Sequence, residues 1–180
     1  VESDEELLSR AAEDPEAFEP LVARHAKALH GYFARRASDA ADDLLAETWL
    51  RAYSARAGFD AARGSARGWL FGVARHVLAH HWRAPGAHGS AAAQATLAGD
   101  TAIDPWHAVD QRLDAIAVAW SLRARLAALP PVERELLLLV AWEELTPVEA
   151  AAVVGIPAGT ARSRLHRARA RMRGTLSNSQ

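Results

Sequence analysis

The sequence predicts an all-α fold of two small helical domains joined by a flexible linker, the second domain containing a helix-turn-helix. Three observations predict it. Apolar residues recur at steps of three and four along most of the chain, and the period-two alternation of half-buried strands is nearly absent. Residues 84–99, APGAHGSAAAQATLAG, hold no Asp, Glu, Lys or Arg and no large apolar side chain except Leu97, so they cannot build a core. Near the C-terminus, a capped short helix, a glycine and an arginine-rich helix follow one another.

The elements follow in order. In AFEPLVARHAKALHGYFARR, Phe18, Leu21, Val22, His25, Leu29 and Phe33 form one inward stripe. In DAADDLLAETWLRAYSA, Leu44, Leu45, Trp49 and Tyr53 are expected to face a core, with Asp42, Asp43 and Glu47 outward. The loop GFDAARGS, with Gly58 and Gly64 in turn positions, leads into ARGWLFGVARHVLAHHWR, where Trp69, Leu70, Val73, Val77 and Leu78 are expected inside. This reading gives an N-terminal domain over 1–83, a linker over 84–103 and a C-terminal domain over 104–180, with Pro105 at its first helical position.

The last segment has the clearest local grammar. In TPVE, Thr146 is placed to cap, Pro147 takes the first helical position, and Glu149 is placed to reach back to the cap amide. Gly155 then ends the helix as a residue suited to positive φ, and Pro157 opens the next one. In that helix Ala161, Leu165, Ala168 and Met172 form an inward seam, while Arg162, Arg164, Arg167, Arg169, Arg171 and Arg173 cover much of the remaining circumference. Such a helix suits the major groove: its first turn approaches base edges while arginines hold phosphates.

Composition narrows the function. The formal net charge of -1 conceals uneven placement: residues 56–83 carry five Lys/Arg against one Asp/Glu, and 161–180 carry six against none. Two separated basic patches suit a polyanion touched at two places, with the acidic surfaces left for another partner. No residue is cysteine, which excludes disulfides, thiolate ligands and cysteine nucleophiles. No phosphate-cradling glycine loop and no GxSxG elbow is present, so no catalytic residues and no cofactor are expected. His76 and His80 stand one turn apart, but the HExxH pattern and a third ligand are missing, and no metal is expected. No stretch is long and apolar enough to span a bilayer, and the N-terminus VESDEELLSR is acidic, so a cytoplasmic location is expected.

Taken together, DAADDLLAETWLRAY, FDAARGSARGWLFGVARHVLAHHWR and ALPPVERELLLLVAWEELTPVEAAAVVGIPAGTARSRLHRARARMR resemble bacterial RNA polymerase sigma factors of the sigma-70 family, in the small extracytoplasmic-function group. The order and spacing of the segments carry the resemblance more than the helix-turn-helix alone. It implies a protein that catalyses nothing itself, binds core RNA polymerase and directs promoter recognition, DNA melting and transcription initiation. By the resemblance, Asp43, Leu44 and Glu47 stand where the family docks on the polymerase clamp helices, and the four-residue spacing of the two carboxylates puts them on one face. Residues 59–83 resemble the part that captures unpaired -10 bases, with Arg63, Arg67, Arg75 and Arg83 as cations and His76 and His80 at positions bearing on promoter sequence. Phe59 reads equally as a stacking surface and as core, and Trp69 falls in a buried position. Thr160, Arg162, Ser163, Arg164 and Arg167 lie where the family presents its polar face to the -35 duplex.

Ala46 replaces a frequent glutamine, Glu144 a turn glycine and Ala161 a larger apolar residue, which leaves affinity and C-terminal packing open. Members of the group are commonly held by an anti-sigma factor, often membrane-attached, although no residue here identifies one. Two readings of other classes stand beside this one: a stand-alone helix-turn-helix regulator, and an interaction protein whose arginines only solubilise a helix. The acidic helix 42–50 followed by a second basic patch argues against the first.

Overall fold

The computed structural model describes residues 2–84 and 112–173, the side chains of 112–118 excepted. The expected linker, apart from Ala84, and the expected start at Pro105 lie outside the described residues. Eight α-helices are found: α1 (Asp4–Arg10), α2 (Glu19–Ala34), α3 (Ala41–Ala55), α4 (Ala66–Arg83), α5 (Arg112–Ala128), α6 (Pro131–Ala141), α7 (Pro147–Val154) and α8 (Ala158–Arg173). Short 3-10 turns lead into α2 and α3 and follow α3, and no strand occurs among the described residues. The fold is all-α, in two helical domains, and the second contains the helix-turn-helix.

Local chemistry explains the boundaries. Ser3 and Glu6 form a capping box at α1, the Glu6 carboxylate accepting from the Ser3 amide at 2.8 Å and the Ser3 hydroxyl from the Glu6 amide at 3.2 Å. Ser65 caps α4 by accepting from the Gly68 amide at 3.0 Å. Thr146 and Glu149 form the expected box at α7, and Gly155 ends that helix in the left-handed region at φ 79. Glu144, in the turn before α7, also has positive φ, at 56, in a conformation better suited to glycine.

The core is continuous across both halves. Leu21, Leu29, Phe33, Leu70, Phe71 and Leu78 share it with Leu136, Leu139, Leu145, Ala150 and Leu165. A smaller cluster of Leu126, Leu129, Leu138 and Ala168 joins α5, α6 and α8. The inner face of α2 holds Leu21, His25, Leu29, Tyr32 and Phe33, so Tyr32 takes a buried place and Val22 is half-buried at the edge. On α4, Phe71 and Ala74 complete the face of Leu70, Val77 and Leu78, while Trp69 and Val73 are half-buried. On α3 the expectation for Tyr53 fails. It lies in the last turn, exposed, edge-on to Phe18 at 5.3 Å and covered on one side by the Arg56 guanidinium at 3.8 Å.

α1 is fastened by charge. Asp4 accepts from Arg24 at 2.6 Å and pairs with the buried His25 at 2.6 Å, while Glu5 accepts from the Ala66 amide at the start of α4 at 2.9 Å. Against α4 packs α7, which brings the two halves into direct contact.

Candidate nucleic-acid interface

α8 is held by its seam and by one acid. Ala161, Leu165 and Ala168 are buried and Met172 is half-buried, so the arginines turn away from α6. Glu133, 5% exposed in the first turn of α6, pairs with Arg171 and lies 3.4 Å from Arg167. Arg134 beside it donates to the carbonyls of Leu126, Ala127 and Leu129 at 2.8, 2.7 and 3.0 Å, closing the end of α5 onto α6. Arg167 therefore has an internal partner. Arg162, Ser163 and Arg169 are exposed, Thr160 and Arg164 are half-buried on the flanks, and the Ser163 hydroxyl donates back to the Gly159 carbonyl at 3.2 Å. His166 is exposed one turn beyond Arg162 and Ser163, and sequence reasoning missed it, although its spacing of three and four from them puts it on the same face.

The second basic surface lies on α4 and the loop before it. Arg63, His76, His80 and Arg83 are exposed, and Arg83 donates to the Ala79 carbonyl at 2.9 Å. Phe59 is half-buried with its ring edge-on to Trp69 at 5.7 Å, so it is fixed by packing while keeping an open side. A cleft of 430 Å³ opens beside it, lined by Asp60, Arg63 and His76 from the first half and by Val148, Glu149 and Ala152 from the second. Arg67 and Arg75 are otherwise engaged. Arg67 donates to the Glu143 carbonyl at 2.7 Å, and Arg75 forms a two-pronged pair with Glu135 at 2.6 and 3.2 Å. The bonded Glu135 carboxylate raises Arg75 above its ordinary value, against the opposing effect of burial.

A third surface runs along α3. Asp43 is exposed and Glu47, half-buried, accepts from Arg51 at 2.6 Å. Leu44, by contrast, is 6% exposed: it shares the inward face with Ala41, Thr48 and Ala52, so it supports α3 from below. The apolar group beside the two carboxylates is Leu50, 65% exposed and seven residues after Asp43. That i, i+4, i+7 relation was present in the sequence and went unused.

Among the described residues no helix is long and apolar enough to cross a membrane, and no three His, Asp or Glu side chains gather as they would around a metal ion.

Known proteins fit this geometry. The family model for sigma-70 region 2 matches residues 16–86, and the model for sigma-70 region 4 matches residues 119–172. The sigma factor SigC of Mycobacterium tuberculosis is 40% identical over 131 residues, covering 72% of this chain and 66% of the relative. This chain thus spans slightly under two thirds of that relative's length. SigF of Caulobacter vibrioides is 34% identical over 145 residues, covering 78% of this chain and 74% of the relative. Among solved structures, CnrH in complex with the cytosolic domain of CnrY superposes with a TM-score of 0.64 at 25% identity, covering 99% of this chain and 100% of that one. RpoE of Bartonella quintana, solved with the anti-sigma factor NepR, shares the fold at 22% identity, with a TM-score of 0.60 over 91% of this chain and 98% of that one. The two region matches in their order, and relatives above 30% identity along most of the chain, place this protein in the extracytoplasmic-function group of the sigma-70 family.

Proposed function

We propose that the chain is a sigma factor, binding core RNA polymerase and directing it to promoters. Residues 1–83 serve polymerase docking and -10 recognition, residues 104–180 serve -35 recognition, and 84–103 join them. Asp43, Glu47 and Leu50 form the polymerase-facing stripe, two carboxylates and an apolar anchor on one side of α3. Leu44 acts by setting the position of that stripe.

The single observation that carries the reading is α8: a helix seated by Ala161, Leu165 and Ala168 behind a capped α7, with Arg162, Ser163 and His166 on its open side. That face suits a duplex major groove. Arg162 and Arg164 are the base-reading candidates, Thr160 and Ser163 the phosphate contacts, and Arg167 divides its charge between Glu133 and DNA. Phe59, Arg63, His76, His80 and Arg83 line the surface for the melted -10 strand, joined by Arg67 and Arg75 when their present partners release them. Such a protein needs no cofactor and performs no chemistry; it supplies binding energy that holds promoter DNA open.

Proteins that cover these surfaces belong to the same reading. An anti-sigma factor is the partner class, and CnrH was solved bound to the cytosolic domain of another protein.

The test is size-exclusion chromatography of the chain with purified core polymerase, with and without a promoter-length duplex pool. Co-elution with core, and enrichment of specific duplexes only when both proteins are present, is expected. Enrichment by the chain alone, without binding to core, would overturn the assignment in favour of a stand-alone regulator.

A further inference from the structure

Two of the five arginines between residues 56 and 83 are held by groups from the second half of the chain. Glu135 on α6 takes Arg75, and the Glu143 carbonyl takes Arg67. The Glu143 side chain, only 2% exposed, is gripped from α2 by Arg35 at 2.5 Å and Arg36 at 3.0 Å. Glu149 accepts from the Ser65 hydroxyl at 2.5 Å, directly at the N-terminus of α4. The backbones approach closely here because residue 68 is glycine: a β-carbon at that position would stand 3.4 Å from the β-carbon of Glu149.

These groups resemble phosphates in charge and in the donors they occupy. Three carboxylates and a carbonyl from α6, α7 and the turn between them cover the loop-facing side of α4. The same packing sets Val148, Glu149 and Ala152 against the cleft beside Phe59 and Arg63. The outward face of α8 stays free, since Arg162, Ser163 and His166 are exposed in the same arrangement. Closure thus obstructs one DNA-binding surface and spares the other.

We propose that the α6–α7 segment is an internal competitor for single-stranded DNA, with Glu135, Glu143 and Glu149 holding α4 closed until polymerase or opened promoter displaces them. This rests on the reading of α4 as the surface for the melted strand. In the closed chain the -35 duplex is readable and the -10 strand is excluded, so the protein alone binds unpaired DNA weakly by the fraction of molecules that stand open.

The absence of cysteine from the chain allows a reversible lock. Gly68→Cys with Glu149→Cys places two β-carbons at a separation close to that of disulfides, about 3.5 to 4.5 Å. Binding of a fluorescent single-stranded 12-mer pool and of duplex DNA is then measured on the full chain, oxidised and reduced. The oxidised form is expected to lose single-strand binding by about tenfold or more relative to the reduced form, with duplex binding unchanged and full recovery on adding reductant. Equal single-strand affinity in both forms would overturn the proposal. A second variant, Glu135→Gln with Glu143→Gln, works in the opposite direction. With dyes on Ser54→Cys and Ala128→Cys, both exposed sites, it is expected to lower energy transfer and tighten single-strand binding. Unchanged transfer, or opening without gain in affinity, would also overturn it. Failure of the underlying assignment has a separate signature: Arg63→Ala, which lies outside the clasp, would then leave transcription by the holoenzyme unaltered.

Discussion

Glu133 in the first turn of α6 and Arg171 in the last turn of α8 are ion-paired across the helix-turn-helix, 38 residues apart, with the carboxylate buried and the guanidinium half in solvent. The pair clamps the end of the recognition helix opposite to the one that faces DNA. A cation near the C-terminus of α8 also sits favourably on the helix dipole.

Removing that acid is expected to loosen α8. Glu133→Ala leaves Arg171 and Arg167 without their partner, but both are about half exposed, so the cost is discounted to about 1–2 kcal/mol. Urea unfolding followed by circular dichroism measures it. Affinity for a -35 duplex should fall as well, since a frayed helix presents its arginines over a wider range of poses.

On α3, Asp43→Arg with Glu47→Arg is expected to weaken core polymerase binding by like-charge repulsion while helical content stays nearly intact, because neither side chain belongs to the core. Leu50→Asp should weaken it further, with little change in stability. Unchanged affinity in a fluorescence titration against core polymerase would remove α3 from the docking surface.

For α8, Arg164→Ala and Arg162→Ala are each expected to reduce affinity for a selected -35 duplex by about 1–3 kcal/mol while changing random-duplex affinity less. Arg169→Ala should weaken both alike and lower the salt dependence of binding. Anisotropy titrations at several salt concentrations separate the two patterns.

Acid should unfasten the chain at two places. Burial alone would raise the Asp4 carboxyl, but the hydrogen bonds from Arg24 and His25 outweigh it and leave it below its ordinary value. Glu149 behaves similarly: burial raises it, while Ser65, the Thr146 cap and the Arg67 charge bring it below its ordinary value. A carboxyl depressed in the folded state contributes stability that is present above its unfolded value and is lost as pH falls through the folded one. Urea midpoints should therefore decline as pH drops below the ordinary values of 3.8 and 4.5, and Asp4→Asn or Glu149→Gln should flatten that decline.

Glu144→Gly relieves a left-handed φ at an exposed turn position and is expected to stabilise the protein by about 0.5–1 kcal/mol in thermal unfolding, after the entropy glycine costs in the unfolded chain.

The features that were legible in the sequence are those decided within a few residues. Thr146, Glu149 and Gly155 bound α7 as their chemistry requires, and Ala161, Leu165 and Ala168 seat α8 as their spacing requires. The Ser3–Glu6 box obeys the same rule and was there to be read. Contacts across the chain were not legible: Arg75 gives no sign that Glu135, 60 residues on, will take it, because only the packing of α7 on α4 brings them together. Leu44 shows the limit on a single helix, where apolar residues on both sides of α3 left its inward direction undecided until α4 was in place.

The most direct measurement is run-off transcription with core polymerase from a related bacterium on a library of promoter-length duplexes, with and without this protein. The account predicts transcripts that start only when the protein is present and that share sequence near -10 and -35. No protein-dependent transcripts, with a duplex site protected by the protein alone, would contradict it.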